Sequence, residues 1–231
     1  MRTGEFKRRA RAALKGKYFI AVGVYALVMI IEGLFTRLSN TFVTLYTSTY
    51  NPTYLLWAAI VFIGSILFVS VPMSVSITRY FIVDAEGKAK ISELLYPYKT
   101  NLGNIILTMI VKELLIFLWS LLLIIPGIIK TYSYFLVDFI IAENPDISRK
   151  RAFEISKNAM DGHKMKAFLL SLSFIGYIFL SLFTAGIGMF FLYPYMQAAY
   201  TQFYFEMKEL AFEKGYIEYG ELKRTDFERE G

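Results

Sequence analysis

NIILTMIVKELLIFLWSLLLIIPGIIKTYSYFLVDFIIAENPDIS, residues 104–148, is a long apolar run that a Pro-Gly pair divides into two halves. The first half is long enough for a transmembrane helix, which needs about 20 apolar residues, and the second is shorter by about one turn. The pair Pro126-Gly127 indicates either a tight turn or a kink. We therefore predict a transmembrane helical hairpin here, and the flanking chain repeats the same kind of unit.

The composition of the whole chain is that of a membrane protein. Of its 231 residues, 56% are hydrophobic without counting glycine, whereas soluble domains are about 45–50% apolar with glycine included. The chain has no cysteine, which excludes disulfides, thiolate metal ligands and thiol nucleophiles. We expect a single membrane domain over residues 1–207 and a cytoplasmic tail over residues 208–231.

The apolar runs predict about six transmembrane helices, at residues 18–35, 54–83, 104–125, 127–142, 165–183 and 189–205. The polar stretch between the first two is expected to be a loop, residues 36–53. Three amphipathic stretches are expected to lie as helices on the membrane surface, at residues 5–17, 91–103 and 148–163. The predicted fold is all-α: a polytopic membrane helical bundle of three hairpins, each preceded by an amphipathic surface helix.

The basic residues predict the orientation of the chain. Residues 1–17 hold seven Lys or Arg and one acid, which equals the whole net charge of +6. With the N-terminus inside, all basic residues fall on inner segments except Arg37, Arg79, Lys112 and Lys130. Because Lys and Arg are retained in cytoplasmic segments, both termini are expected in the cytoplasm. Anionic lipid headgroups are then the expected partners of the inner face, and a basic arm directly against a span argues against nucleic-acid binding.

Three segments share a pattern in which an acid follows a proline by twelve residues: PMSVSITRYFIVD, PGIIKTYSYFLVD and PYMQAAYTQFYFE. The prolines are Pro72, Pro126 and Pro194, and the acids are Asp84, Asp138 and Glu206. We therefore expect three internal repeats of surface helix plus hairpin, at about residues 5–84, 91–138 and 148–206. Chance similarity between apolar segments is the alternative. The prolines are expected to kink or tilt their helices.

Several ionisable residues lie inside or beside the apolar runs, where a charge costs at least about 2.5–3.5 kcal/mol at the bilayer centre. Four of them fall at similar depth in the inner half and form a candidate polar site: Arg79, Lys112, Glu113 and Asp138. Lys112 and Glu113 point about 100° apart on a helix, so they are not expected to pair with each other. They also have no counterparts in the other repeats. The expected pairs are Arg79–Glu113 and Lys112–Asp138, and ion pairing that fixes helix register is the alternative to a functional site.

Residues that typically carry chemistry are scarce. His163 is the only histidine, and no spacing around it supplies the partners of a metal site or a Ser-His-Asp triad. The sequence has no phosphate-binding P-loop, zinc-protease or nucleophile-elbow motif. We expect no catalytic residue, no metal ligand and no cofactor.

Several short motifs together resemble one family: NPDIS at residues 144–148, GHK at 162–164, LSFIG at 172–176, YPYMQAAY at 193–200 and ALKG at 13–16. Over nearly its whole length the chain resembles the bacterial integral-membrane family called domain of unknown function 975. It is more distantly similar to the membrane domain attached to some glycerophosphodiester phosphodiesterases. The resemblance implies a multi-pass protein of the bacterial cytoplasmic membrane, and it supplies no catalytic residues.

Three functions stay open from the sequence. The first is a non-enzymatic membrane protein that interacts with lipids or assists a partner membrane protein. The second is a small transporter or channel that uses the inner-half polar site. The third is an enzyme acting on lipid headgroups, although no cluster of acid, histidine and nucleophile supports it. A membrane-protein partner and a second copy of the chain are both compatible with these functions.

Overall fold

The computed structural model describes residues 3–224, and all regular structure within this range is helical. The helices are α1 (Thr3–Ala13), α2 (Tyr18–Thr49), α3 (Thr53–Ala85), α4 (Tyr96–Lys99), α5 (Leu102–Leu122), α6 (Ile124–Ser133), α7 (Val137–Glu143), α8 (Arg149–Met160), α9 (Lys164–Leu172), α10 (Ile175–Leu182) and α11 (Ile187–Glu213). A π-helical segment, Ile66–Ser70, lies within α3, and a 3-10 turn, Ile91–Leu95, precedes α4.

Five stretches of the described chain are long and apolar enough to cross a membrane. They are Tyr18–Thr49, Thr53–Ala85, Leu102–Leu122, Ile124–Glu143 and Lys164–Leu182. The first two are much longer than the others, with 32 and 33 residues against 19 to 21. At about 1.5 Å per residue, α2 and α3 are each about 50 Å long, whereas α5 is about 30 Å long.

The helices pair in chain order as three hairpins. Hairpin 1 is α2 with α3, hairpin 2 is α5 with α6 and α7, and hairpin 3 is α9 and α10 with α11. The first helix of each hairpin also contacts the second helix of the hairpin before it, and hairpin 3 takes this place for hairpin 1, so the contacts form a closed ring. In this ring α2 contacts α11, α5 contacts α3 and α9 contacts α6. The second helices contact one another and form the inside of the bundle, where the rings of Phe139 and Tyr204 stack at 4.9 Å.

The amphipathic segments pack against protein with their apolar faces. In α1, Phe6 and Ala10 are fully buried against α11 and α9, and the rings of Phe6 and Phe203 lie 5.5 Å apart. In α8, Ala152 and Ile155 are buried in the same core. These faces are therefore unavailable to lipid, and only the basic faces are exposed. The helix expected over residues 91–103 is instead a 3-10 turn and the single turn of α4.

The loop expected at residues 36–53 is wrong, because α2 continues as a helix to Thr49. The hydroxyls of its polar side chains bond to carbonyls one turn back, as Thr36 does to Glu32 and Thr41 does to Arg37, both at 3.0 Å. Threonine hydroxyls are thereby satisfied without leaving the helix. The polar composition of this stretch reflects a helix with a polar face.

Pro126 lies in a turn and kinks no helix. Leu123 is extended, with φ −160° and ψ 144°, and α6 begins at Ile124. Pro126 is thus in the first turn of α6, where its missing N–H leaves no helical bond unmade. Gly127 allows α5 and α6 to approach closely at the turn, because a Cβ at this position would lie 2.8 Å from the Cα of Ser120. Of the two alternatives that the sequence left open, the structure has the tight turn.

Pro72 deprives α3 of one helical hydrogen bond, and a tyrosine from the next segment compensates. Proline has no N–H, so Pro72 cannot donate to the carbonyl of Phe68. The Tyr98 hydroxyl donates to this carbonyl at 2.8 Å. Near Pro194 the Tyr18 hydroxyl donates to the carbonyl of Phe191 at 2.6 Å, which ties the start of α2 to α11.

Replacing Tyr98 by phenylalanine is therefore expected to lower the free energy of unfolding by about 0.5–1.5 kcal/mol, the net contribution of one hydrogen bond. Unfolding in mixed micelles with increasing dodecyl sulfate, followed by circular dichroism, measures this change. Tyr50→Phe is the matched control, because Tyr50 is highly exposed at the end of α2. Equal stability of the Tyr98→Phe variant and the wild type would contradict the role assigned to the hydroxyl.

The last helix and the segment after it are folded against the bundle. α11 continues to Glu213, beyond the span end expected at residue 205, and Ile217 and Leu222 are buried. Arg151 of α8 binds Glu221 through two hydrogen bonds, at 2.6 and 3.0 Å. The remainder of the predicted tail, residues 225–231, lies outside the described part of the chain.

The Arg151–Glu221 pair makes this segment sensitive to acid. Hydrogen bonding to Arg151 holds the pKa of Glu221 below its usual range. A carboxyl group with a depressed pKa stabilises the fold at pH values above the pKa that it has in the unfolded chain, about 4.3. This contribution disappears as the pH falls through the pKa of the folded state. We expect Glu221→Gln to be less stable than the wild type by about 1.5–3 kcal/mol at pH 7. The difference should vanish as unfolding is measured at progressively lower pH, and a constant difference down to pH 3 would refute it.

Candidate functional site

Each hairpin holds one ion pair between a lysine at or in its first helix and an acid of its second helix. The pairs are Lys17–Asp84, Lys112–Asp138 and Lys166–Glu206. The nitrogen–oxygen distance is 2.9 Å in the first pair and 2.5 Å in the second. The expected pairing of Lys112 with Asp138 is confirmed. A lysine meets an acid in every hairpin, although the three lysines do not occupy matching positions along their helices.

The pair of hairpin 2 lies deeper in its hairpin than the other two. Lys17 caps the start of α2, and Lys166 lies in the first turn of α9. Lys112 lies half-way along α5, about 15 Å from its start. Its residue is only 8% exposed, so the ammonium group depends on protein partners.

Lys112 and Asp138 line a cleft of about 380 Å³, which we call the central cleft. Every hairpin contributes side chains to its walls. They are Ser74 and Thr78 of α3, Lys112 and Glu113 of α5, Tyr134 between α6 and α7, Asp138 of α7, and Tyr193, Gln197 and Tyr200 of α11. Across the cleft the Gln197 amide donates to the Thr78 hydroxyl at 3.1 Å. The cleft is therefore a polar space between the second helices of all three hairpins.

The charges in the central cleft do not balance. Lys112 contacts two carboxylates, since Glu113 lies 3.1 Å away in addition to Asp138. The expectation that Lys112 and Glu113 do not pair is therefore wrong, because their long side chains bend toward each other. Glu113 keeps 67% of its side chain exposed. The other described side chains around the cleft are uncharged, so the ionised cluster carries one negative charge in excess.

Arg79 does not take part in this cluster. It pairs with Glu93 at 3.3 Å and stacks on the ring of Tyr96 at 4.5 Å. The expected Arg79–Glu113 pair is wrong, because the 3-10 turn and α4 pack against α3 and bring Glu93 to Arg79. Arg79 thus fixes this segment to α3, and the structure separates it from the other three candidates.

A second buried ion pair, which the sequence did not predict, joins Lys208 to Glu143. The Lys208 ammonium lies 3.0 and 3.1 Å from the two carboxylate oxygens of Glu143. The Tyr204 hydroxyl and the backbone N–H of Lys223 donate to the same carboxylate, at 2.7 and 2.9 Å. The available signal was the position of Glu143 at the end of an apolar run. Because every polar atom of this group is paired, it has a structural role.

His163 lies in the turn before α9, outside the apolar stretches. Burial and the nearby Lys166 ammonium group lower the pKa of His163, so its imidazole is neutral at pH 7. Within residues 3–224 there is no group of three His, Asp or Glu side chains that could hold a metal ion.

A second concave surface lies where α1 turns into α2 and faces α10 and α11. This basic groove has a volume of about 680 Å³. Arg11 and Lys15 line one part of it, and an apolar floor includes Leu180, Phe191 and Leu192. Gly16, with φ 82°, makes the turn that folds α1 onto the groove, a conformation that glycine adopts without steric cost. The basic arm is evident in the sequence, but no sequence pattern predicts the groove.

The cations of the groove are not neutralised by acids. Arg11 and Lys15 are exposed, and neither forms an ion pair with an acid in the described chain. In contrast, Arg9 of α1 pairs with Glu5 at 3.6 Å. The groove therefore combines positive charge with an apolar surface, which is the chemistry of a phospholipid site.

These helices and their exposed apolar surfaces define a multi-pass α-helical membrane protein. The chain belongs to the family described as "protein of unknown function (DUF975)", whose model matches residues 1–130 and 121–211. The family that the sequence motifs indicated is thereby confirmed. No curated protein and no solved structure matches the chain.

Proposed function

We propose that the protein is a non-enzymatic membrane protein that binds anionic phospholipids of the cytoplasmic leaflet in the basic groove. The observation that carries this proposal is the position of Arg11 and Lys15 beside an apolar floor. A lipid phosphate matches the two cations, and an acyl chain matches the floor. Packing of the apolar face of α1 against α11 holds the two cations in place.

The proposal includes a location in the bacterial cytoplasmic membrane with both termini in the cytoplasm. The basic faces of α1 and α8 support it, because Lys and Arg near membrane segments are retained on the cytoplasmic side. Each hairpin begins and ends at the same end of the bundle, which supports placing Thr3 and Arg224, the two ends of the described chain, on one side of the membrane whatever the number of crossings. A partner membrane protein or a second copy of the chain stays a prediction.

We also infer that the three hairpins are copies of one unit. The ring of contacts, in which the first helix of each hairpin packs on the second helix of the hairpin before it, supports this relation. The lysine–acid pair within each hairpin supports it independently, since the acids are the ones that align in sequence. On this interpretation Asp84, Asp138 and Glu206 share a structural role, which is to tie the two helices of a hairpin together.

Lipid titration of the purified full chain tests the function. Thermal unfolding in detergent is followed as phosphatidylglycerol or phosphatidylcholine is added. We expect the anionic lipid to stabilise the protein at lower concentration. Each basic residue near an anionic surface contributes about 1 kcal/mol, so Arg11→Gln/Lys15→Gln should weaken the effect of phosphatidylglycerol about 30-fold.

The matched control is Lys88→Gln/Lys90→Gln, which removes the same charge from the loop after α3. It is expected to change the response to phosphatidylglycerol far less than the groove variant does. Two outcomes would refute the proposal. One is an equal response to both lipids, and the other is an equal loss in the groove variant and the control.

Cation transport is a second candidate, which the excess carboxylate of the central cleft favours. An uncompensated charge in an apolar bundle is costly, and an entering cation or proton would remove the cost. Helices broken near a polar site, as between α6 and α7, are common in transporters. Cation flux into proteoliposomes that falls at least tenfold in Glu113→Gln, and not in Glu86→Gln, would support it. Flux no greater than in empty liposomes would exclude it.

A further inference from the structure

The turn of hairpin 1 lies at a very different height along the bundle from the turns of hairpins 2 and 3. The rings of Tyr25 and Tyr193 stack at 4.1 Å, which places these residues at one level. From Tyr25 the helix α2 continues to Thr49, about 36 Å, whereas α11 reaches back from Tyr193 to its start near Gly186 in about 10 Å. The turn of hairpin 1 therefore lies about 25 Å beyond the turn of hairpin 3.

Hairpin 2 is as short as hairpin 3. Thr78 and Lys112 line the same cleft and thus lie at similar levels. From this level α3 extends to Thr53 over about 38 Å, but α5 extends only to Leu122, about 15 Å. Its turn ends about 20 Å below the turn of hairpin 1.

The surface of α3 shows where the hydrocarbon lies. Leu56, Ile60 and Ile63 are between 56% and 65% exposed, and all three lie beyond the turns of hairpins 2 and 3. Such side chains require lipid around them. Along α3 the distance from Arg79, which is ion-paired to Glu93, to Leu56 is about 34 Å. This distance is close to the hydrocarbon thickness of about 30 Å, so a bilayer that covers α3 encloses both shorter turns.

The composition of the turns agrees with this placement. Residues 121–125 of hairpin 2 are all Leu or Ile and are between 67% and 76% exposed. In hairpin 3, Phe183 is 88% exposed beside the turn. The turn of hairpin 1, residues 47–53, is instead polar, and Tyr54 and Trp57 follow it, as in the aromatic belt of a membrane interface.

Several backbone N–H groups of the two short turns are bonded within the turns. In hairpin 2 the N–H of Leu123 donates to Trp119 and that of Gly127 donates to Leu123, both at 3.2 Å. In hairpin 3 the N–H of Gly188 donates to the Thr184 hydroxyl at 2.8 Å. Internal hydrogen bonding of this kind is what a chain reversal inside hydrocarbon requires.

We propose that hairpin 1 crosses the bilayer and that hairpins 2 and 3 enter it from the cytoplasmic side and end inside the hydrocarbon. The partners of their turns are the acyl chains near the bilayer centre. The protein then displaces more lipid from the cytoplasmic leaflet than from the outer leaflet, which favours membrane that bulges toward the cytoplasm. This inference concerns the hairpins and does not depend on lipid binding in the basic groove.

Cysteine labelling tests the proposal, and the natural chain has no cysteine to interfere. Single cysteines are introduced by Asn51→Cys, Leu123→Cys and Phe183→Cys, one in or beside each turn. The full chain in sealed vesicles of known orientation is treated with a membrane-impermeant maleimide from either side. We expect Asn51→Cys to react from the outer side only. Leu123→Cys and Phe183→Cys should react from neither side, yet react fully after solubilisation in dodecyl sulfate.

Measuring the depth of each position in the bilayer distinguishes a thiol surrounded by lipid from a thiol buried inside the protein. A fluorophore at positions 123 and 183 should be quenched most by lipids that carry a spin label near the end of the acyl chain, and a fluorophore at position 51 most by a headgroup label. Labelling of Leu123→Cys or Phe183→Cys from the outer side would overturn the proposal in favour of six crossings. Labelling of either from the cytoplasmic side would overturn it as well.

Discussion

Lys208→Met is expected to lower the free energy of unfolding by about 3–5 kcal/mol, because it leaves the buried Glu143 carboxylate without its counter-charge. Lys208 is 3% exposed, and its ammonium is within 3.1 Å of both oxygens of Glu143. The Tyr204 hydroxyl would still donate to Glu143, but a hydroxyl does not neutralise the charge. The pair joins α7 to α11, so its loss should loosen two of the inner helices together.

A double variant separates this electrostatic cost from a loss of packing. Lys208→Met/Glu143→Gln removes both charges, and the introduced amide can accept the N–H of Lys223 with its oxygen and donate to the Tyr204 hydroxyl with its NH2 group. It is expected to recover most of the stability that Lys208→Met loses, since breaking a buried pair costs more than replacing it. Lys88→Met is the surface control, because that side chain is 77% exposed. Unfolding in mixed micelles measures all variants, and a Lys208→Met loss below 1 kcal/mol would disprove the role of the pair.

Phe6→Ala is expected to cost about 3–5 kcal/mol and to release α1 from the bundle. Phe6 is fully buried, its ring contacts that of Phe203, and the Lys166 ammonium lies 5.5 Å from the ring centre. Removing the ring leaves a cavity at the centre of the contact between α1 and α11. The positions of Arg11 and Lys15 in the basic groove depend on this contact.

Two measurements check the release of α1. The unfolding free energy in detergent gives the cost, and the rate of trypsin cleavage within residues 8–11 reports the exposure of α1. Phe19→Ala is the control, because Phe19 is 79% exposed on α2 and should change neither quantity. Unchanged stability and unchanged cleavage of Phe6→Ala in lipid-free detergent would show that packing of Phe6 does not hold α1 on the bundle.

Much of the secondary structure follows from the sequence, since apolar length and helix signals act locally. The helix expected within residues 148–163 spans Arg149–Met160, and the Ser148 hydroxyl caps it by accepting the N–H of Arg151 at 3.3 Å. Five of the six predicted spans coincide with apolar stretches long enough to cross a membrane, whereas the sixth, over residues 189–205, lies in α11 and is not among these stretches of the described chain. The polar end of α2 was missed because threonine and serine are typical of loops, while here their hydroxyls bond to carbonyls of the same helix.

The candidate site was predictable only in part. Lys112 and Asp138 were expected to meet because they lie at matching depth on antiparallel neighbours, and the structure pairs them. The acid that meets Arg79 and the buried Glu143–Lys208 pair depend on how each helix is rotated about its axis. Apolar helices carry little record of that rotation in their sequence.

By itself the sequence determined that this chain forms several apolar helices of membrane-spanning length, because transfer of side chains into lipid depends on composition and length. Only the tertiary structure decided that α1 binds the bundle and forms a groove. It also decided that hairpins of similar hydropathy end at different heights. The physical reason is that these heights follow from long-range contacts such as Tyr25 with Tyr193 and Thr78 with Gln197, which join residues more than 100 positions apart in the chain.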